Sequence, residues 1–193
     1  MAERSVVSAP PGPRLVSPFS IPEPEVEALI AGRPRLSCRM AAQADEFALH
    51  HRIRHAVFVT EQGIFAGSDV DARDGEATTI RVLGFAGPVA AGAVRLYPLE
   101  PDTGLWLGDR LAVLPAVRAH GLGMPLVRFA VATAARLGGR EMQAHIQPAN
   151  VRFFERLGWV RRGPVEVYVG LPHQPMAIDL TATAAAETTV ETA

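Results

Sequence analysis

The chain has 193 residues, 48% of them hydrophobic, and a formal net charge of −1. That is enough for one domain with its own core, and too balanced a charge for a global pull toward nucleic acid or an anionic membrane. All 19 basic residues are arginine, which excludes chemistry that needs a lysine amine, including Schiff-base catalysis and the phosphate-binding lysine of a P-loop.

Residues 1–35, with "APPGPRLVSP" and "IPEPEVE", carry prolines too dense for a packed helix or a central strand, and predict a partly disordered, extended arm. Residues 44–58 place Leu49, Ile53 and Val57 at i, i+4 and i+8, one face of a helix. An acidic, glycine-bearing loop follows, with Glu61, Asp69, Asp71, Asp74 and Glu76. It reads as a solvated loop, with Coulomb steering of a cationic amine as the functional alternative. "TIRVLGF" and "VAAGAVRL", parted by Gly87 and Pro88, predict an antiparallel strand pair, and "DRLAVL" a third strand ended by Pro115. Arg95 in the second strand can face a substrate pocket or pair with the acidic loop. Residues 124–137 put Leu126, Ala130, Ala134 and Leu137 on one helical stripe, stopped by Gly138 and Gly139. "REMQAHIQ" is a strand, "NVRFFERLG" a short helix, and "VEVYVG" and "PMAIDL" close the sheet. The last dozen residues, 182–193, read as a disordered tail. The fold class is α/β: a mixed, mostly antiparallel central sheet with helices on both faces.

One stretch needs a special reason. "RAHGLGMPLV", residues 118–127, joins a strand to a helix through Arg118, Gly121 and Gly123. A dinucleotide fingerprint would need glycine at 126, which is leucine, and a P-loop would need lysine. The underlying physics still holds. The first N–H groups of a helix lack partners and favour an anion, and glycines let a phosphate approach the main chain. The donors would be the amides of His120, Gly121, Leu122, Gly123 and Met124, with Pro125 tolerated in the first turn. A tight turn closing the strand–helix unit is the alternative.

Arg118-x-x-Gly121-x-Gly123, preceded by "LAVLP" and followed by "NVRFFERLGW", resembles the GCN5-related N-acetyltransferase (GNAT) superfamily. "IRHAVFVTEQGI", "HIQPANVRFFERLGW" and "GLPHQPM" extend that resemblance over residues 36–181, and point to a bacterial subgroup found beside nitrilase genes. The resemblance implies acetyl-CoA as co-substrate and no metal. It also implies a sheet splayed at the CoA site, with the pantetheine arm along Leu111 and Val113 and the Val113 N–H on the thioester oxygen. Gln147 and Asn150 fall at positions facing the CoA arm, and Arg156 where a basic residue meets CoA phosphates. Phe154 departs from the family, because a tyrosine there usually protonates the leaving thiolate and phenylalanine has no proton to give.

The attacking amine must lose a proton. Glu61 is the first candidate base and His173 the second. His145 is a candidate for the missing acid. His51 and His55, spaced i and i+4 beside His50, lack the further ligands of a metal site. The expected protein is a cytoplasmic acetyltransferase acting on the amine of a small molecule, with a cationic acceptor and a homodimer as options. Neither a nucleic-acid nor a membrane partner is expected, since the charge is balanced, no apolar run reaches roughly 18 residues and no signal core opens the chain, and the single cysteine, Cys38, which closes no internal disulfide, agrees with a reducing cytoplasm. Two rivals stand beside it. A non-catalytic CoA-binding module would explain Phe154. An acyl-homoserine-lactone-synthase-like enzyme would share "IRHAVFVTEQGI…DVDARD…AVRL", although such enzymes lack the Arg-x-x-Gly-x-Gly turn.

Overall fold

The computed structural model describes residues 15–100 and 102–181. In chain order the elements are α1 (Glu23–Ile30), β1 (Leu36–Met40), α2 (Ala44–His55), a π-turn (Ala56–Glu61), β2 (Ile80–Ala86), β3 (Val89–Pro98), β4 (Leu105–Val113), α3 (Pro115–Arg118), α4 (Gly123–Arg136), β5 (Glu141–Ile146), α5 (Val151–Glu155), β6 (Val160–Arg161), β7 (Glu166–Tyr168) and β8 (Leu171–Asp179). The strands form one sheet in the order β1-β2-β3-β4-β5-β8-β6, with β7 paired to β8. Every pairing is antiparallel except β4 with β5.

Helices cover both faces, so the central strand β3 is buried from Val89 to Tyr97. Under α4 and α5 lies a core of Val82, Leu96, Leu126, Ala130, Met142, Phe154 and their neighbours. Beneath α2, the smaller core holds Leu49, Ile53, Val57, Phe58, Leu83 and Ala93. Adjacent residues Val82 and Leu83 serve opposite cores, as the two-residue period of a strand requires. The facing glycines Gly84 and Gly92 let α4 press onto the sheet, since a Cβ on Gly92 would come within 2.6 Å of Leu126.

Three expectations change. Residues 23–30 are a helix, with Val26 and Ile30 buried in the main core. Its prolines cause no conflict, because Pro22 is the N-cap and Pro24 sits in the first turn, where no intrahelical N–H is needed. β1 is an edge strand that the sequence pattern did not reveal. Leu137 lies off the buried stripe and is 58% exposed, because α4 ends at Arg136. The tail at 182–193 and the first fourteen residues of the arm fall outside the described residues.

Candidate active site

The parallel pairing of β4 with β5 lasts only from Leu105↔Glu141 to Leu107↔Gln143. Beyond it β4 runs on to Val113 and β5 to Ile146 without pairing, so the sheet opens between them. A bulge marks the opening: Arg110 and Leu111 together face the single residue Val94. Arg110 takes the left-handed backbone region, with φ 53°, which is costly for a residue with a side chain. The Arg110 guanidinium is held by Asp69, Asp71 and Asp109. On the other strand, His50 Nε2 lies 3.2 Å from the Val94 carbonyl. A carbonyl only accepts, so this nitrogen carries the proton. Burial lowers the His50 pKa to about 3 and keeps the ring neutral. Leu114 N–H donates to the Ala91 carbonyl, and the alternation of an antiparallel ladder then turns the Val113 N–H away from β3, toward the opening.

Below the opening comes the glycine turn. Three of its five expected donors are already used: His120 donates to the Val117 carbonyl, Gly121 to Arg118, and Met124 to Gly121. The segment winds tightly between α3 and α4, and successive i→i+3 bonds consume these amides. This corrects the expectation of five convergent donors. Among the described residues, the amides of Leu122 and Gly123 have no acceptor. Gly121 has φ +80°, so the turn itself requires glycine. Gly123 has no such constraint, and a Cβ there would meet only Phe153 at 3.6 Å.

Arg118 is oriented by its own strand. Its Nε donates to the Val113 carbonyl at 3.0 Å, and its two terminal nitrogens grip both oxygens of Glu61 at 2.6 Å. Glu61 was expected as a base in the acceptor pocket. Instead it ends the π-turn against the glycine turn, and the bond from Arg118 holds its carboxyl below the usual range. A carboxylate so paired is a poorer proton acceptor.

His145 and His173 do meet at the opening. Together with Leu111, Gln147, Asn150 and Phe154 they line one pocket of about 120 Å³. His145 stacks on Tyr168, ring centres 4.1 Å apart, and its Nε2 lies 2.9 Å from Glu166 Oε1. Tyr168 also meets His173 edge to face at 5.5 Å, and His173 Nδ1 lies 3.0 Å from the Leu171 carbonyl. Gln147 donates to Gln62 at 3.2 Å. Arg156 is exposed at the C-cap of α5. Sequence reasoning missed Tyr168 and Glu166, which carried no signal inside an ordinary strand pattern. Phe154 is buried against Phe153 and Trp159, with both ring pairs at 5.3 Å.

The acidic loop is an internal ion-pair network, not a solvated one. Arg54 bonds Asp69 and Asp74, and Arg95 bonds Asp71, Asp74 and Asp109, all between 2.6 and 3.0 Å. Both arginines are fully buried. Arg95 thus pairs with the loop, and the acidic side chains that would steer a cation are already neutralised. For Asp74, burial opposes ionisation, but its contacts with His51 and Arg54 hold its carboxyl far below the usual range.

Residues 107–180 match the family model described as Acetyltransferase (GNAT) domain. Among solved structures, a Lactobacillus plantarum protein with an N-acetyltransferase assignment superposes with a TM-score of 0.67 at 25% identity, over 75% of this chain and 98% of that one. An acyl-CoA N-acyltransferase from Pseudomonas aeruginosa gives 0.65 at 23%, over 75% and 99%. The CoA-dependent acyl-homoserine lactone synthase BjaI gives 0.63 at 18%, over 79% and 87%. The last two likenesses are of fold. No helix among the described residues is long and apolar enough to cross a membrane.

The family model matched by residues 107–180 implies an acyl-CoA co-substrate, and the residues suit one. A pyrophosphate fits a turn with two unpaired amides, an arginine at its start and no side chain at Gly121 or Gly123. An amide-bearing arm fits the open edge of β4, where the Val113 N–H is turned outward. The Trp159 indole N–H, on the pocket wall, has no partner among the described residues.

Proposed function

We propose that the protein transfers an acyl group, acetyl in the simplest case, from acyl-CoA to the amine of a small molecule by direct attack. The observation that carries this reading is the β4–β5 opening beside the unpaired amides of Leu122 and Gly123: one strand edge and one helix start, both with donors to spare.

In this reading the Leu122 and Gly123 amides and Arg118 bind the pyrophosphate. The Val113 N–H holds the thioester oxygen as charge gathers on it. Bound acyl-CoA supplies an activated carbonyl and a thiolate leaving group. The amine enters beside His145 and His173. His145 takes the amine proton on Nδ1, while Glu166 orients the ring through Nε2 and stabilises the imidazolium that forms. Glu61 serves instead to fix Arg118. No hydroxyl stands at Phe154. Water protonates the departing thiolate, which suits a group whose cysteine analogue has a pKa of about 8.5.

Thiol release from acetyl-CoA, measured over a panel of small amines, tests the reading. Release above the amine-free rate is expected for at least one amine. CoA binding without turnover on any amine would favour the non-catalytic module that Phe154 suggests. One observation favours a further enzyme reading. The pairing of Arg54 and Arg95 with Asp69, Asp71 and Asp74 is built from the same segments that resemble acyl-homoserine-lactone synthases, and BjaI, whose structure holds SAM and isopentyl-CoA, shares the fold. S-adenosylmethionine therefore belongs in the amine panel.

A further inference from the structure

The pocket at the opening continues into the core. Its deeper wall is Val127 and Ala130 from α4, Met142 and Ala144 from β5, and Phe154 and Trp159 around α5. All six are buried and belong to the core under α4 and α5. Phe58 and Phe65, which line the same pocket, belong to or lean on the core under α2. The cavity therefore passes through the plane of the sheet where β4 and β5 part.

We infer that this inner wall receives the hydrocarbon of the donor, and that the preferred donor carries a short acyl chain, longer than acetyl and up to about six carbons. The inference rests on the CoA reading and adds the donor class. Size argues for it. The whole pocket, its mouth at His145 and His173 included, holds about 120 Å³, near the roughly 150 Å³ apolar cavity that admits the six carbons of benzene, which leaves room beyond an acetyl methyl and none for a long chain. Chemistry points the same way. The amides of a pantetheine arm need partners, and of these six side chains only Trp159 has a polar group to offer, a single N–H, whereas methylenes need none. Phe154 then has a positive role: it adds apolar surface where a tyrosine would add a hydroxyl.

Calorimetric titration of the full chain with CoA and with acetyl-, butyryl-, hexanoyl- and octanoyl-CoA, without any acceptor, tests this directly. Affinity should rise by about fourfold per added methylene while the chain is being buried, giving at least a tenfold gain from acetyl to hexanoyl. Flat or falling affinity along the series, with CoA itself bound, would overturn the acyl pocket and leave the CoA reading intact. Failure of CoA to bind folded protein would overturn both. Ala130→Leu places a larger side chain on the wall and should abolish the gain from acetyl to hexanoyl. A gain that persists in folded Ala130→Leu would put the chain elsewhere and refute the assignment. If that variant does not fold, Ala144→Leu serves the same purpose, and the parent series decides alone.

Discussion

The acidic loop before β2 and the glycine turn between α3 and α4 are both glycine-bearing links that bring polar groups to the edge of the β4–β5 opening. The fold treats them oppositely. In the acidic loop the charges find partners within the chain, with Asp69 and Asp74 on Arg54 and with Asp71 and Asp74, joined by Asp109 of β4, on Arg95. At the glycine turn, two amides and an outward-facing strand edge are left over. A self-satisfied polar cluster holds the bulge in place, and an unsatisfied one beside it is where a ligand has something to gain. Polarity alone does not mark a site; residual hydrogen-bonding capacity does.

That contrast can be broken from either side. The largest effect belongs to the network. Arg95→Ala leaves Asp71, Asp74 and Asp109 without their shared cation, and should cost about 3–5 kcal/mol. Thermal melting should show a loss on the order of 10 °C. A change within 2 °C would mean that the network contributes little. The same carboxylates set an acid limit. Asp71 is held low by its bond from Arg95, and Asp74 by His51 and Arg54 against the effect of burial. Their folded pKa values lie below the unfolded ones, so their stabilisation is full above an unfolded value of about 3.9 and is lost as pH falls through the folded values. Urea unfolding should therefore give nearly constant stability from pH 7 to 5 and a decline below about pH 4. Stability that rises on acidification would contradict the pairing.

On the site side, His145→Gln should lower kcat/KM for thiol release by about a hundredfold, the lower end for a lost general base, with CoA affinity little changed. An equal loss in CoA affinity would make His145 a binding residue instead. Next in size is Gly123→Glu. Its backbone is ordinary, so the protein should fold, and the added carboxylate should weaken CoA binding tenfold or more, about 1.4 kcal/mol. Unaltered affinity in folded protein would remove the turn from the site. The smallest effect is Gly121→Ala, about 1 kcal/mol of stability, because the new Cβ meets nothing within 4 Å and only the positive φ is penalised. Denaturant midpoints would register it.

Much of the fold was legible because it is written in local periodicity. Leu49, Ile53 and Val57 are buried as their spacing predicts, and the Leu126–Ala130–Ala134 stripe likewise. The helix at 23–30 is hidden in a proline-rich stretch because the position of a proline, not its frequency, decides its effect: one proline caps the helix and the next falls in its first turn. Glu61 was misplaced because a loop carboxylate has no periodic signal. Its partner Arg118 lies 57 positions away, and only the turn of the chain after α2 brings the two together. Tyr168 and Glu166 reach His145 across β8, a contact that no spacing along the chain encodes.

From its sequence alone this protein determined the sheet-and-helix alternation, the glycine turn and the resemblance that goes with it, since each depends on residues close together in the chain. Tertiary structure decided which amides stay unpaired, which carboxylates are spent on arginines and how deep the apolar pocket runs. Those outcomes depend on competition among distant groups for the same few partners, and that competition is settled only when the strands and helices close on one another.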